Sequence, residues 1–286
     1  MNNRLLLRRT QKVNPDNLII TVKTDESGAS NNNQFILSLS GTYDVLNWGD
    51  GTSSLGVSAN QTHTYATSGI YNITISNTFD SYRFNLGGDG DKLIDVKQFG
   101  TAQLTTFQSA FADCNNITVF SAVDVPDLSN VIDMPTAFFN ASNFNQNINN
   151  WDVSNVQSMQ RLFFNADGFN QPLNNWDVSN VTDMSVMFRF NNGFNQDISD
   201  WNIANVSDFE NFLEGQTGTF STQNYNLLLV GWEQTLQNAY PGGVGYPHTI
   251  SIGFGGTKYT LGGAAETART SLINNFGWTI SDGGGI

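Results

Sequence analysis

Two histidines, one cysteine and twenty-five carboxylates are the groups with which this chain could do chemistry. Hydrolysis or group transfer needs a nucleophile, a base and a stabilising donor converging on one point. His63 sits in the run His63-Thr64-Tyr65, and His248 follows Pro247 at the start of a β-rich stretch. Neither has a relay partner that the sequence places beside it. Cys114 shares an apolar stripe with Phe107, Ala110, Phe111 and Ile117, which marks a buried thiol. A single cysteine also excludes an internal disulfide. Zinc ligands are too few. The expectation is a protein that is not an enzyme.

The carboxylates say more. Asp50, in Trp48-Gly49-Asp50-Gly51-Thr52, and the pair Asp89 and Asp91, in Gly87-Gly88-Asp89-Gly90-Asp91, are oxygen donors that Ca2+ could use. Calcium takes about six to eight oxygens, and neither stretch has the spaced ladder of an EF-hand loop. Solvated Gly/Asp turns account for both, and no cofactor is expected. Asp127, Asp152 and Asp177 recur every 25 residues, with Asn202 as the fourth member. Like charges stacked across a ladder repel. Either each is satisfied by Ser154, Ser179 or nearby backbone donors, or the set forms an outward acidic strip. As a strip, Asp127, Asp152, Ser154, Asp177, Ser179 and Asn202 would meet a basic or cation-bridged partner.

What must position these residues is a repeat. Trp151-Asp152-Val153-Ser154-Asn155-Val156 returns at Trp176–Val181 and as Trp201-Asn202-Ile203-Ala204-Asn205-Val206, 25 residues apart each time. Pro126–Val131 is a weaker copy upstream. The columns Met134/Met159/Met184/Phe209, Phe138/Phe163/Phe188/Leu213 and Phe144/Phe169/Phe194 keep the same period. A fixed period of this length implies a solenoid, in which each unit buries its apolar face only against its neighbours. Alternation around Trp176 and Val178 predicts a short strand with both side chains inward. Met184, Met187 and Phe188, spaced i, i+3, i+4, predict one or two helical turns. The Asn columns are expected to bond backbone at the turn of each coil.

In chain order, β-branched and aromatic runs predict strands at 17–23, 35–41, 43–48, 63–65 and 69–75. Residues 81–98 read as a hinge into an array that begins near Leu93. Residues 225–232 read as a helix, 248–254 as a strand, and 278–281 as a closing strand. Ala264, Ala268, Leu272 and Phe276 give 264–276 an apolar stripe, and residues 216–286 together form a cap.

Two resemblances follow from these residues. Phe194 to Trp201 and Trp176 to Met184 together stand close to the phrase F-N-Q-D-I-S-x-W-D-V-S-N-V-T-D-M. This resembles the BspA-like leucine-rich repeats of bacterial surface proteins, related to repeats of mycoplasma lipoproteins, over roughly residues 93–215. The resemblance implies a binding or adhesion scaffold. Trp48, Gly49, Asp50, Gly51, His63, Tyr65, Gly69 and Tyr71 resemble the landmarks of a PKD-like β-sandwich, an extracellular spacer or contact module. The expected fold is thus mainly β with short helices: a basic arm (1–16), a PKD/Ig-like β-sandwich (17–80), a leucine-rich-repeat-like α/β solenoid (81–215) and a C-terminal cap (216–286).

Charge sharpens the partners. The net charge is −13, yet beyond residue 23 seven basic groups face twenty-four acidic ones. That body is unsuited to nucleic acid, because phosphate contact needs clustered Lys/Arg. No apolar run approaches the ~20 residues of a membrane span, so no membrane insertion is expected. The first twelve residues do not read as a signal peptide, since Leu5-Leu6-Leu7 is short and Arg8-Arg9 interrupts it. Leu5, Leu6, Leu7, Arg8 and Arg9 instead suggest an assembly arm that binds other virion or surface proteins. The functional expectation is a non-enzymatic virion surface or tail component of a phage, for attachment or decoration. It would meet a host protein or glycan through the solenoid. The alternative is a secreted bacterial surface adhesin.

Overall fold

The computed structural model describes residues 14–58, 60–84, 88–218 and 220–286. They form a mainly β chain with several small sheets and two α-helices. The front part begins with β1 (Leu18–Lys23), where alternate Leu18, Ile20 and Val22 are buried. It continues with β2 (Gln34–Leu37), β3 (Leu39–Gly41), β4 (Tyr43–Asn47) and β5 (Ser54–Val57). Then come β6 (Gln61–Thr64), β7 (Ile70–Ile75), β8 (Phe79–Tyr82), β9 (Leu93–Gln98) and β10 (Val119–Phe120). The main sheet runs β10-β9-β1-β7-β4-β5, while β2–β6 and β3–β8 form antiparallel pairs. The turn after β4 depends on Gly49, at φ 91°, where an added Cβ would lie 2.8 Å from the Asn72 carbonyl oxygen. Only glycine tolerates both that backbone angle and that approach.

The stretch 81–98 is not a hinge. Its described residues end β8 and form β9, and β9 is bonded on both edges, antiparallel to β1 and parallel to β10. β10 lies in the first coil of the repeat region, so one sheet crosses from the front part into the repeats. Tyr82 tightens the junction: its hydroxyl donates to the Phe99 carbonyl at 3.2 Å, and its ring meets Phe107 edge-on.

From Phe107 onward the coils stack through backbone bonds with a fixed pattern. The N–H groups of Met134, Thr136, Phe138 and Asn140 donate to the carbonyls of Ser158, Gln160, Leu162 and Phe164 at 2.9–3.0 Å. Met159, Arg161, Phe163 and Asn165 do the same to the next coil, and so do Met184, Val186, Phe188 and Phe190. Every second peptide thus points to the neighbour, and intervening ones close short local turns such as Leu162 N–H to Met159 C=O. Two expectations are corrected here. The Met184–Phe188 stretch is not helical, because Val186 and Phe190 stand at φ 62° and 57°. Those left-handed residues turn alternate peptides out of the local spiral and into the neighbouring coil. The Trp176–Val178 stretch is not a paired strand either. Among the described residues the strand-like pairing between these coils is limited to the single parallel bridges Asp133↔Ser158↔Asp183↔Asp208, away from Trp176–Val178.

The inward columns are as expected. Trp151, Trp176 and Trp201 are buried, and the Phe138–Phe163 and Phe163–Phe188 rings both stack at 5.4 Å. The Trp176 indole N–H donates to the Ile148 carbonyl and that of Trp201 to Leu173, each at 3.0 Å. This satisfies the one polar atom that burial of tryptophan would strand.

The stack ends in a cap of α1 (Thr222–Ala239), β11 (Ser251–Gly253), α2 (Ala264–Asn274) and β12 (Thr279–Ser281). α1 takes the place of another coil. Its Trp232 indole donates to the Ile198 carbonyl at 3.0 Å, continuing the tryptophan column, and Phe220 stacks on Phe194 at 6.3 Å. Gly231 permits this, since a Cβ there would lie 2.3 Å from the Ser199 carbonyl oxygen. On α2 the buried residues are Ala265, Ala268 and Leu272, whereas Ala264 is exposed, one position off the expected stripe. α1 and α2 pack against each other. Among the described residues no helix is long and apolar enough to cross a membrane.

Candidate binding face

The Asp column lies on turns, not on a strand face. Asp127, Asp152 and Asp177 each accept, through Oδ1, the amide N–H of the serine two residues on, Ser129, Ser154 and Ser179, at 3.0–3.1 Å. Asn202 makes the same bond to Ala204 at 3.2 Å. The Ser154 hydroxyl also donates to Asp152 Oδ1 at 2.6 Å. Short side chains favour such turns because they can reach their own backbone. The serine hydrogen bonds hold the Asp127 and Asp177 carboxyls below the usual carboxylate range.

The serine carbonyls then serve the next coil. Asn155 Nδ2 donates to Ser129 C=O at 2.9 Å; Asn180 and Asn205 donate to Ser154 and Ser179 C=O at 2.7 Å. The structure therefore brings Asp127, Asp152, Ser154, Asp177, Ser179 and Asn202 into one row, with a structural role in every turn. Asp152, Asp177 and Asn202 remain exposed beside the buried Trp151, Trp176 and Trp201. The row is a rigid line of negative charge with one neutral end.

At its acidic end the row opens into a cleft of about 660 Å³ whose lining includes Asp127, Asp152, Pro15, Gln98 and Thr101. Val123 and Val125 line it, and Val123 is fully exposed. Sequence reasoning missed this feature, because Val123 stands in the 25-residue register with Ile148, Leu173 and Ile198, which are buried, so the period alone places it inward. Asp124 turns away to bond the Phe99 and Gly100 amides at 3.0 and 2.9 Å.

The other candidates are engaged elsewhere. Asp50 accepts from the Thr52 amide and hydroxyl and faces His63 Nε2 at 2.8 Å. Burial raises its carboxyl, but the bonds from Thr52 and His63 outweigh that and bring it to about 2. His63 stacks on Trp48 at 4.5 Å. Asp89 is fully buried, accepts from the Ser30 and Ile36 amides, and stands 3.8 Å from the equally buried Lys92. Lys92 Nζ donates to the carbonyls of Ser30, Asn31 and Gln34. Burial lowers the Lys92 ammonium, partly offset by Asp89. Asp91 bonds Ser27 and the Asn115 amide. Protein donors thus hold the oxygens considered for calcium, and among the described residues no three acidic, His or Cys side chains gather as a metal would require. Cys114 is buried, and burial pushes its thiol well up. His248 packs edge-on against Tyr246 in the cap. The proposed arm residues Leu5, Leu6, Leu7, Arg8 and Arg9 lie outside the described residues.

A protein family described as "Mycoplasma protein of unknown function, DUF285" matches residues 95–226, from within β9 to the first turn of α1 and somewhat under half of the chain. No curated protein and no solved structure matches the chain.

Proposed function

We propose that this chain is a non-enzymatic surface scaffold that binds a partner along the Asp127–Asn202 row. In this reading the front part is a PKD-like module, and the stack is a BspA-like leucine-rich-repeat solenoid closed by its cap. The observation that carries it is the exposed line of Asp152, Asp177 and Asn202, locked turn by turn into a rigid backbone. A pre-organised row of like charge loses little entropy on binding and selects a basic partner or a cation-bridged one. The proposed setting is the virion surface or tail of a phage, with the solenoid directed to a host protein or glycan. The bacterial cell surface is a second setting, favoured by the match to a Mycoplasma family over the stack.

The test is adhesion of the purified chain to host cells. Asp152→Asn with Asp177→Asn, on an unchanged fold, is expected to weaken binding at least tenfold at low salt and to flatten its salt dependence. Unchanged binding by this double variant sinks the role of the row. Mass spectrometry of purified particles against cell-surface fractions decides between the two settings.

A further inference from the structure

Twelve residues after Asp127, Asp152 and Asp177 stand Phe139, Phe164 and Arg189, a second column on the surface of the coils. The Phe139 and Phe164 rings, both half-buried, stack at 4.9 Å. Phe190 meets Phe164 edge-on at 5.6 Å and is the one exposed phenylalanine among the described residues. The Arg189 guanidinium lies over the Phe190 ring, 4.7 Å from its centre. Arg161 is exposed and closes the same turn as Phe164, whose N–H donates to the Arg161 carbonyl at 3.2 Å. The next N–H, of Asn165, donates to the Arg189 carbonyl at 3.0 Å. Backbone bonds thus gather Arg161, Phe164, Arg189 and Phe190 into one patch across two coils.

Both guanidinium groups lack a counter-charge. Of the seven basic groups beyond residue 23, Lys92, Lys97 and Arg269 face Asp89, Asp95 and Asp282. Arg161 and Arg189 face no carboxylate among the described residues, although twenty-four acids share that part of the chain. Arg189 Nε is buried without a hydrogen-bond partner. Glu214, in register with Arg189, turns its carboxylate toward Gly253 of β11, and Asp183 is held by the Ser185 amide and hydroxyl. A half-buried cation without a partner is stabilised by an anion from outside. Acceptors adjoin it: Gln160 and Asn165 spend their amide N–H groups on Ser185 and Asn140, which leaves their side-chain oxygens for a donor. We propose that this patch binds a carboxylate-bearing glycan, a polyuronate. Its carboxylates meet Arg161 and Arg189, its hydroxyls donate to Gln160 and Asn165, and its apolar ring edge covers Phe190. A guanidinium fork matches a planar carboxylate with two parallel bonds. Densely sulfated polymers and nucleic acid are repelled by the acidic body around the two arginines. A stable protein contact takes about 800 Å² on each partner, more than these few side chains offer. The patch is distinct from the Asp row and does not depend on adhesion through it.

The test is calorimetric titration of the full chain with sodium polygalacturonate, with neutral dextran as the blank. The expected result is binding to the polyuronate alone, weakened about tenfold or more by Arg161→Gln with Arg189→Gln. Arg161→Gln by itself, at an exposed position that leaves the core intact, should weaken it severalfold, so the test stands even if the double variant misfolds. Asp152→Asn with Asp177→Asn should not weaken it, which separates this patch from the row. A folded chain that does not bind polygalacturonate overturns the proposal, as does equal binding by the arginine variants. Equal or tighter binding of poly-L-glutamate makes an acidic protein segment the occupant, and tighter binding of dextran sulfate makes it a sulfated glycan; either result overturns the proposal.

Discussion

The front sheet and the stack bury similar apolar residues but secure them in opposite ways. In the front part each contact is made once: β1 has its own partners in β7 and β9, and the Asp89–Lys92 pair satisfies loop carbonyls found nowhere else. In the stack the same four backbone bonds, the same indole bond and the same asparagine bond recur at successive interfaces. A unique contact cannot be replaced by a neighbour, whereas a repeated one can. Stability in the front part is therefore concentrated, and in the stack it is a sum of nearly equal neighbour terms.

Substitutions should expose this difference, the largest at the unique contacts. Asp89→Ala leaves the buried Lys92 ammonium without its counter-charge and the Ser30 amide, Ser30 hydroxyl and Ile36 amide without their acceptor, and should cost ~3–5 kcal/mol. Loss of soluble folded protein, or a fall in denaturant midpoint of that size, is the expected readout. A near-neutral result would mean that water reaches Lys92. Trp176→Ala should cost about 3–4 kcal/mol by cavity formation. Trp201→Ala should match it within about 1 kcal/mol if the interfaces are equivalent, and a wide gap between the two would break the idea of equal terms.

Asp50→Asn should have a smaller and pH-dependent effect. The folded carboxyl is depressed to about 2, so its stabilisation is fully present above its unfolded value of about 4 and is lost as pH falls toward 2. The variant should lose ~1 kcal/mol at neutral pH, and the deficit should shrink between pH 4 and 2. A deficit constant across that window would show that shape, not charge, matters at Asp50. Deleting residues 151–175 removes one whole unit and rejoins equivalent surfaces. The shortened chain should still fold cooperatively, less stable by one unit and its interface. Collapse of the fold would show that register with the cap or with β9, not the neighbour interface, sets the number of coils.

Much of the stack could be read from residues alone. A period of 25 forces equivalent positions into equivalent surroundings, so the Trp and Phe columns and the Asn bonds to backbone followed from pattern. The Asp row could be located but not interpreted, because the donor to each carboxylate is a serine amide whose direction depends on the turn. In the front part, alternation located the strands β1, β4 and β7 well. It could not show that β9 joins β1, because that pairing is between residues distant in sequence.

What the sequence by itself determined is which side chains point inward and how often, since burial of apolar surface depends on composition and period. What only the tertiary structure decided is the path of the backbone between them. Left-handed residues such as Val186 and Phe190 are costly in an isolated coil. They persist here because the alternate peptides they redirect find carbonyls on the next coil, and those acceptors exist only once the coils have stacked. The same holds for α1, which has no copy of the repeat phrase yet places Trp232 in the tryptophan column. It holds too for the cleft at Val123, formed where the turn at Asn14–Asn17 meets the first Asp of the row. Each depends on surfaces brought together from distant parts of the chain, and no local pattern encodes such a meeting.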